Sequence, residues 1–405
     1  MTRTILKVAA AAGVLTGLCA TGGASAEESG ARRAYKGAPE FELGAFTIKP
    51  RGRIYLDQVW QDVDREDGPD SEADDSRIRM ARFGVQGDVG EKVRFAVEAN
   101  FVDDELDWED LWVEFRPTEH TALTAGHIKL ISLENLTSES AMTFMERGPI
   151  NDIMGMSRAL GVRGRFGGEN WSVAAFAFGD NINNPNVPDG RPTGSEEPYG
   201  YGGRAHYGPK FGDTRAHLGA WVRHRSRGDA GDFTYGARSN TNYGSRYITT
   251  GPIGVRDTQV GLEGALVRKA WSLQGEWANA RIHRRADAEA DVSAWYLSGS
   301  WFVTGETRNY NAAEGVFERL KMKRTVEQGG PGAFELGVRY DGADLGDVAD
   351  VPTAGDYSAW TFGASWYLNP YARLMANYTI AENDYRVRGR DVDVKTFQLR
   401  AQFDW

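Results

Sequence analysis

The chain has 405 residues, a single cysteine, 47 basic against 57 acidic side chains, and a formal net charge of −10. With a mean hydropathy of −0.50 and no late apolar run near the roughly 18 residues a membrane helix needs, a helical membrane protein is excluded; a barrel is not, because its strands dilute apolar with polar residues. The 49 glycines, 12 tryptophans and 16 tyrosines suit tight turns and aromatic belts. Basic residues are 37 arginines against 10 lysines, and arginine grips phosphate and carboxylate with two parallel hydrogen bonds.

The N-terminus reads as an address. Arg3 and Lys7 precede a 13-residue apolar run, Val8 to Ala20, and Ala24-Ser25-Ala26 has the small residues of a cleavage site. This pattern predicts a secretory signal peptide over residues 1–26, leaving 379 residues with a net charge of about −12. Cys19 follows Leu18 where a lipid-attachment site needs a small residue, so it reads as an inert leader cysteine, and disulfide or thiol chemistry is not expected. Residues 27–45 form a short N-terminal segment, and residues 46–405 show no domain boundary.

From there alternating runs follow one another, and period two is the signature of a strand with two different faces. After a segment near 50–60 comes the acidic run Asp62-Val63-Asp64-Arg65-Glu66-Asp67-Gly68, continuing through Glu72, Asp74 and Asp75. A calcium loop needs glycine at its sixth position, where Asp67 stands, so the run reads as a solvated loop with at most loose divalent-cation binding towards lipopolysaccharide. Phe83, Val85 and Val89 then alternate with Arg82, Gln86 and Asp88. Val93, Phe95, Val97 and Ala99 alternate with Arg94, Glu98 and Asn100, and Leu111, Val113 and Phe115 with Asp110 and Glu114. Residues 131–157 interrupt the rhythm with Met142, Phe144, Met145 and Met154, apolar enough to fold against the lumen wall.

The alternation resumes with Leu160, Val162 and Phe166 against Arg163 and Arg165, and with Leu218, Ala220 and Val222 against His217, Arg223 and Arg225. Later strands are cleaner: Trp271, Leu273 and Trp277 oppose Gln274 and Glu276; Phe334, Leu336 and Val338 oppose Glu335 and Arg339; Leu374, Ala376 and Tyr378 oppose Arg373 and Asn377. The chain closes on Phe397, Leu399, Ala401, Phe403 and Trp405, alternating with Gln398, Arg400, Gln402 and Asp404. One face suits lipid and the other water. About sixteen such strands are expected, an all-β transmembrane antiparallel up-and-down β-barrel. Tight turns at Gly90-Glu91, Lys269-Ala270 and Asn369-Pro370 alternate with long polar stretches at 61–76, 181–200, 227–255, 305–332 and 382–393, which places short turns on one side and long loops on the other.

Other chemistry is weakly signalled. Gly179-Asp180-Asn181 and residues 199–203 precede no helix and are turns rather than phosphate loops. The histidines at 120, 127, 206, 217, 224 and 283 lack ligand spacing, so no metal is expected. Neither a cofactor nor a nucleic-acid partner is expected.

Several phrases, in order, carry a resemblance: Gly126-His127-Ile128-Lys129, Leu133-Glu134-Asn135-Leu136-Thr137-Ser138, Thr143-Phe144-Met145-Glu146-Arg147, Thr304-Gly305-Glu306-Thr307-Arg308-Asn309-Tyr310, the stretch Gly332 to Tyr340, Trp366-Tyr367-Leu368-Asn369-Pro370 and Leu399 to Phe403. From about residue 45 onward the chain resembles the phosphate-selective porin O/P family of outer-membrane channels. The resemblance implies a homotrimer of sixteen-stranded barrels in the bacterial outer membrane, with an arginine-lined lumen and a constriction where lysines select phosphate or polyphosphate. Carried over, Arg163, Arg165, Arg223, Arg225, Arg339, Arg373 and Arg400 are anion-path candidates. Lys129, Arg147, Arg319, Lys321 and Lys323 are constriction candidates, and 131–157 holds the inward-folded constriction loop. Expected partners are outer-membrane lipid and lipopolysaccharide, small anionic solutes, and the outer-membrane assembly machinery through Trp405. Asn135, Glu139, Ser140 and Asn311 stand where phosphate-type members are more basic, which leaves a general small-solute porin open beside the anion channel. An outer-membrane barrel enzyme would need a Ser–His or Asp–His constellation that no strand carries, so enzyme activity is not expected. A plugged structural barrel is the remaining alternative.

Overall fold

A computed structural model describes residues 38–102, 105–183, 196–285, 288–348, 350–387 and 389–405. The expected leader, residues 1–26, and the first part of the 27–45 segment lie outside the described residues. The first half of the wall comprises β1 (Phe46–Arg65), β2 (Ser71–Val89), β3 (Val93–Asn100), β4 (Asp107–Thr118), β5 (Thr121–Ile128), β6 (Ala159–Gly167), β7 (Trp171–Phe178) and β8 (Tyr199–Tyr207). The second comprises β9 (Thr214–Ser226), β10 (Ile248–Arg268), β11 (Trp271–Arg284), β12 (Glu289–Phe302), β13 (Ala333–Asp344), β14 (Gly355–Asn369), β15 (Ala372–Tyr385) and β16 (Val392–Asp404). Each strand pairs antiparallel with its neighbours, and β1 pairs with β16 from Arg53↔Asp404 to Arg65↔Val392. The result is a closed sixteen-stranded barrel. Closure leaves no unpaired edge, which a strand surrounded by hydrocarbon requires.

Side-chain parity follows the lipid and water faces. On β16, Phe397, Leu399 and Phe403 are exposed on the outer surface, whereas Gln398, Arg400, Gln402 and Asp404 are buried inside. The same division holds on β13, where Phe334, Leu336 and Val338 face out and Glu335, Arg339 and Asp341 face in. Outward aromatics recur six residues apart on neighbouring strands: Trp271 and Trp277, Trp295 and Trp301, Phe334 and Tyr340, Trp360 and Trp366, Phe397 and Phe403. Registry brings them together as Trp271↔Trp301 and Phe334↔Trp366 in one belt, and Trp277↔Trp295 and Tyr340↔Trp360 in the other. The Trp271 and Trp301 rings stack at 5.2 Å, and Phe334 and Trp366 at 5.5 Å. Six residues span roughly 20 Å along the strand at about 3.4 Å per residue, so the two belts mark the opposite sides of an outer-membrane barrel's apolar band.

The connections differ from the sequence expectation in two respects. The acidic run is not a loop: β1 continues to Arg65 and β2 begins at Ser71, with Asp62 opposite Glu72 and Trp60 opposite Asp74. Here the wall rises beyond the upper aromatic belt: Val63 stays buried inside, but the outward positions carry exposed Asp62, Asp64, Glu72 and Asp74 in place of apolar residues, so the alternation that marks a lipid-facing strand is lost. Residues 382–393 are likewise strand at both ends, up to Tyr385 and again from Val392. The second difference concerns 303–332. Trp301 sits opposite Trp271, the residue after the tight turn Lys269-Ala270, so this long connection leaves the barrel at the tight-turn end rather than with the long loops. That end is periplasmic in outer-membrane barrels. The connection carries its own hairpin, Asn309–Asn311 paired with Val316–Glu318.

Candidate functional site

Residues 129–158 join β5 to β6 and fold inside the barrel, as shown by their contacts with inward-facing side chains from across the wall. A short helix, Leu133–Leu136, has its N-terminus capped by Ser132, and the Leu133 and Glu134 amides donate to the Glu276 carboxylate of β11 at 3.0 and 2.7 Å. Those amides have no partner within the helix, so the wall carboxylate satisfies them. Glu134 bridges the two arms of the loop by accepting from Gly148 N at 3.0 Å and Asn151 Nδ2 at 2.7 Å. Arg147 folds back to donate to Glu134 O at 3.2 Å and Thr137 O at 2.8 Å. A second helix, Pro149–Ile153, buries Ile150, Ile153 and Met154 against the wall.

Four of the seven anion-path arginines donate to carbonyls of this loop. Arg223 reaches Met154 O at 2.5 Å, Arg339 reaches Glu146 O at 3.0 Å, Arg373 reaches Met142 O and Glu139 O at 2.7 Å, and Arg400 reaches Met145 O at 2.6 Å. Arg400 also grips Asp57 with two bonds of 2.7 and 2.8 Å, and Arg339 pairs with Asp341 at 3.0 Å. Of the other three, Arg225 pairs with Asp257 at 2.5 Å, Arg163 lies 3.9 Å from Glu114, and Arg165 meets Glu314 at 3.0 Å.

The constriction candidates divide into two groups. Lys129 and Arg147 converge on the Glu139 carboxylate, at 3.4 and 2.9 Å. Arg53 also binds Glu139, and Arg82 lies 4.0 Å from it. Arg319 instead pairs with Asp404 near the tight-turn end, and Lys321 and Lys323 line a separate cavity of about 610 Å³ there, with Lys269 and Arg308. Around Glu139 the wall adds Arg158, paired with Glu109 and with Asp110 at 2.8 Å, and Arg51, between Glu98 at 2.8 Å and Asp110 at 3.0 Å. Six cations thus face four carboxylates. Burial pushes the Glu139 carboxyl up, but Lys129, Arg147, Arg53 and Arg82 together hold it well below the usual carboxylate range, so it remains an anion.

Two interior cavities meet at this cluster. One, of about 320 Å³, opens towards the long-loop end beside Asp107 and Asn242; the other, of about 250 Å³, opens towards the tight-turn end beside Glu114 and Thr124. Lys129, Glu139 and Arg158 line both. Sequence reasoning did not single out Arg51, Arg53, Arg82 or Arg158. The available signal was inward parity, and its sharper form appears only with registry: Arg53 sits directly opposite Arg82. Two like charges in that position repel, so an anion is required between them.

The profile of the family described as phosphate-selective porin O and P matches residues 50–405. The chain belongs to that family. An uncharacterized protein of Caulobacter vibrioides is 30% identical over 389 residues, covering 92% of this chain and 76% of its own length. Among solved structures, the outer-membrane channel DcaP of Acinetobacter baumannii superposes with a TM-score of 0.57 at 12% identity, over 90% of this chain and 99% of that one. An anion-selective porin from Comamonas acidovorans gives 0.55 at 12% identity, over 88% and 100%. OmpT of Vibrio cholerae in its trimer form gives 0.51 at 14% identity, over 89% and 100%. At such identities the likeness is one of fold, and with the family it makes this porin a protein of the bacterial outer membrane.

Proposed function

We propose that the porin passes small anions, phosphate or polyphosphate among them, by passive diffusion through the junction of the two cavities. The observation that carries this is the surplus of cations there: Arg51, Arg53, Arg82, Lys129, Arg147 and Arg158 against Glu98, Glu109, Asp110 and Glu139. Selectivity is set by the charges at the narrowest point, since exposed loop charges farther than about 10 Å are screened by salt. In this reading residues 131–157 are the constriction loop, and the four arginines that hold its carbonyls fix the aperture. No covalent chemistry is involved. A homotrimer seated among lipid and lipopolysaccharide is the proposed assembly, supported by the trimeric form of the Vibrio cholerae neighbour.

The second reading is a general small-solute porin. Glu139 favours it, because a carboxylate among the cations neutralises much of their field. Planar-bilayer recording separates the readings. A reversal potential in a KCl gradient that favours chloride, with phosphate reducing the chloride current, is the expected result. A cation-selective channel would remove the anion reading, and the absence of conductance steps from purified protein would remove the porin reading altogether.

A further inference from the structure

Among the described residues, Glu139 is the only carboxylate in contact with four cations of the junction, Arg53, Arg82, Lys129 and Arg147. It is a loop residue rather than a wall residue. It occupies the first position of a 3₁₀ turn, Glu139–Ala141, whose placement is fixed independently of its own side chain. Arg373 holds the Glu139 carbonyl at 2.7 Å and the Met142 carbonyl at 2.7 Å, so the turn stays put whatever the side chain at 139 does. The residue is 9% exposed and lines both cavities. Across the wall, Arg53 and Arg82 are direct cross-strand partners, and Arg82 Nε and Nη1 have no hydrogen-bond partner. The wall supplies Arg82 with Glu109 at 2.5 Å, whereas Arg53 opposite it is paired with the loop's Glu139, so the loop delivers the carboxylate that Arg53 binds.

We propose that Glu139 is a tethered counter-ion: its carboxylate occupies the anion-binding position of the constriction, and it sets this porin's selectivity by competing with the permeating anion. This rests on the porin reading above. A carboxylate and a phosphate oxygen make the same charge-assisted bonds to guanidinium and ammonium groups. The tethered group is present at a high effective concentration because the loop cannot carry it away. A passing anion must share or displace it, so binding is weak and passage fast. Without it, four cations would face a vacant position and a multivalent anion would lodge there.

The test is bilayer recording of the full-length porin and two variants, with inorganic phosphate as the probe. For Glu139→Gln, the phosphate concentration that halves the chloride current is expected to fall at least tenfold, and chloride over potassium permeability to rise several-fold. Lys129→Gln keeps the carboxylate and removes one of its cations, so permeability is expected to shift the other way, towards potassium. The opposed directions keep the proposal decidable should one variant fail to insert. Unchanged phosphate block and unchanged selectivity in an inserted variant would overturn it. A wild-type protein that forms no channel is a different outcome, one that fails the porin reading itself.

Discussion

Each buried arginine of this barrel is placed by its acceptors, and Arg400 shows how much rests on one of them. It is 4% exposed, directly opposite Asp57 across the β1–β16 junction, and holds that carboxylate with two bonds while also reaching Met145 O and Glu146. Breaking one partner of such a pair leaves an uncompensated buried charge, at a cost of about 3 kcal/mol or more, whereas replacing both partners by apolar groups is often close to neutral. Arg400→Met should therefore lower the urea midpoint of the detergent-folded barrel, and Arg400→Met with Asp57→Leu should recover most of the loss. Glu146 stays served in both variants by Arg79, which binds it with two bonds of 3.0 Å. If the double variant is as unstable as the sum of the two single ones, the loss lies in the loop contacts and not in the stranded Asp57.

At the scale of elements, the wall and the interior were unequally legible. Lipid on one side and water on the other impose a period of two, so runs such as Phe334 to Asp341 and Phe397 to Trp405 declare both strand and face. Where the outward face is polar and wet, as at Asp62, Asp64, Glu72 and Asp74, that signal weakens although the strands continue. The 131–157 segment betrayed itself by apolar residues, but not its acceptors, because Glu276 and Arg373 lie more than a hundred residues away and meet it only in space. The connection 303–332 was harder still, since its side of the membrane depends on counting every strand before it. Its hairpin is clipped inside by His206 Nε2, which donates to Ala312 O at 2.9 Å, and by the Tyr310 hydroxyl meeting His217 Nδ1 at 2.6 Å. Phe317, 1% exposed, packs with Leu133 and Ala141 of the inner loop and with Ala265 and Val267 of the wall. No barrel strand pairs with this hairpin, so its stability is local. Phe317→Ala, a loss of about 3 kcal/mol for a buried phenyl ring, should free the hairpin without unfolding the wall. Trypsin should then cut near Lys321, Lys323 and Arg324 while the barrel's melting temperature stays within a few degrees. Loss of the folded barrel together with that cleavage would show that the hairpin is part of the barrel's cooperative unit.

For the whole molecule, closure depends on β16 pairing with β1, and Trp405 takes part. Trp405 N donates to Gly52 O at 3.0 Å and Gly52 N to Trp405 O at 3.3 Å. The indole covers Gly52 so closely that a Cβ there would lie 2.2 Å from the ring, and it sits 5.9 Å from Phe83 and 5.2 Å from Phe403. An aromatic ring in this position serves the finished barrel by packing or serves assembly by being read in the unfolded chain, and two variants tell these apart. Gly52→Val evicts the ring from its seat yet leaves the C-terminal sequence intact. Trp405→Ala removes the ring from both states. Packing alone predicts that the two lower the unfolding free energy in urea alike, by about 1–3 kcal/mol, and reach the outer membrane in similar amounts. Recognition during assembly, the role expected of Trp405, predicts that Trp405→Ala lowers the folded outer-membrane yield several-fold below that of Gly52→Val, while both proteins refold equally well in detergent. Equal yields in cells would assign the residue to closure of the barrel, where its contacts with Gly52, Phe83 and Phe403 already give it a role.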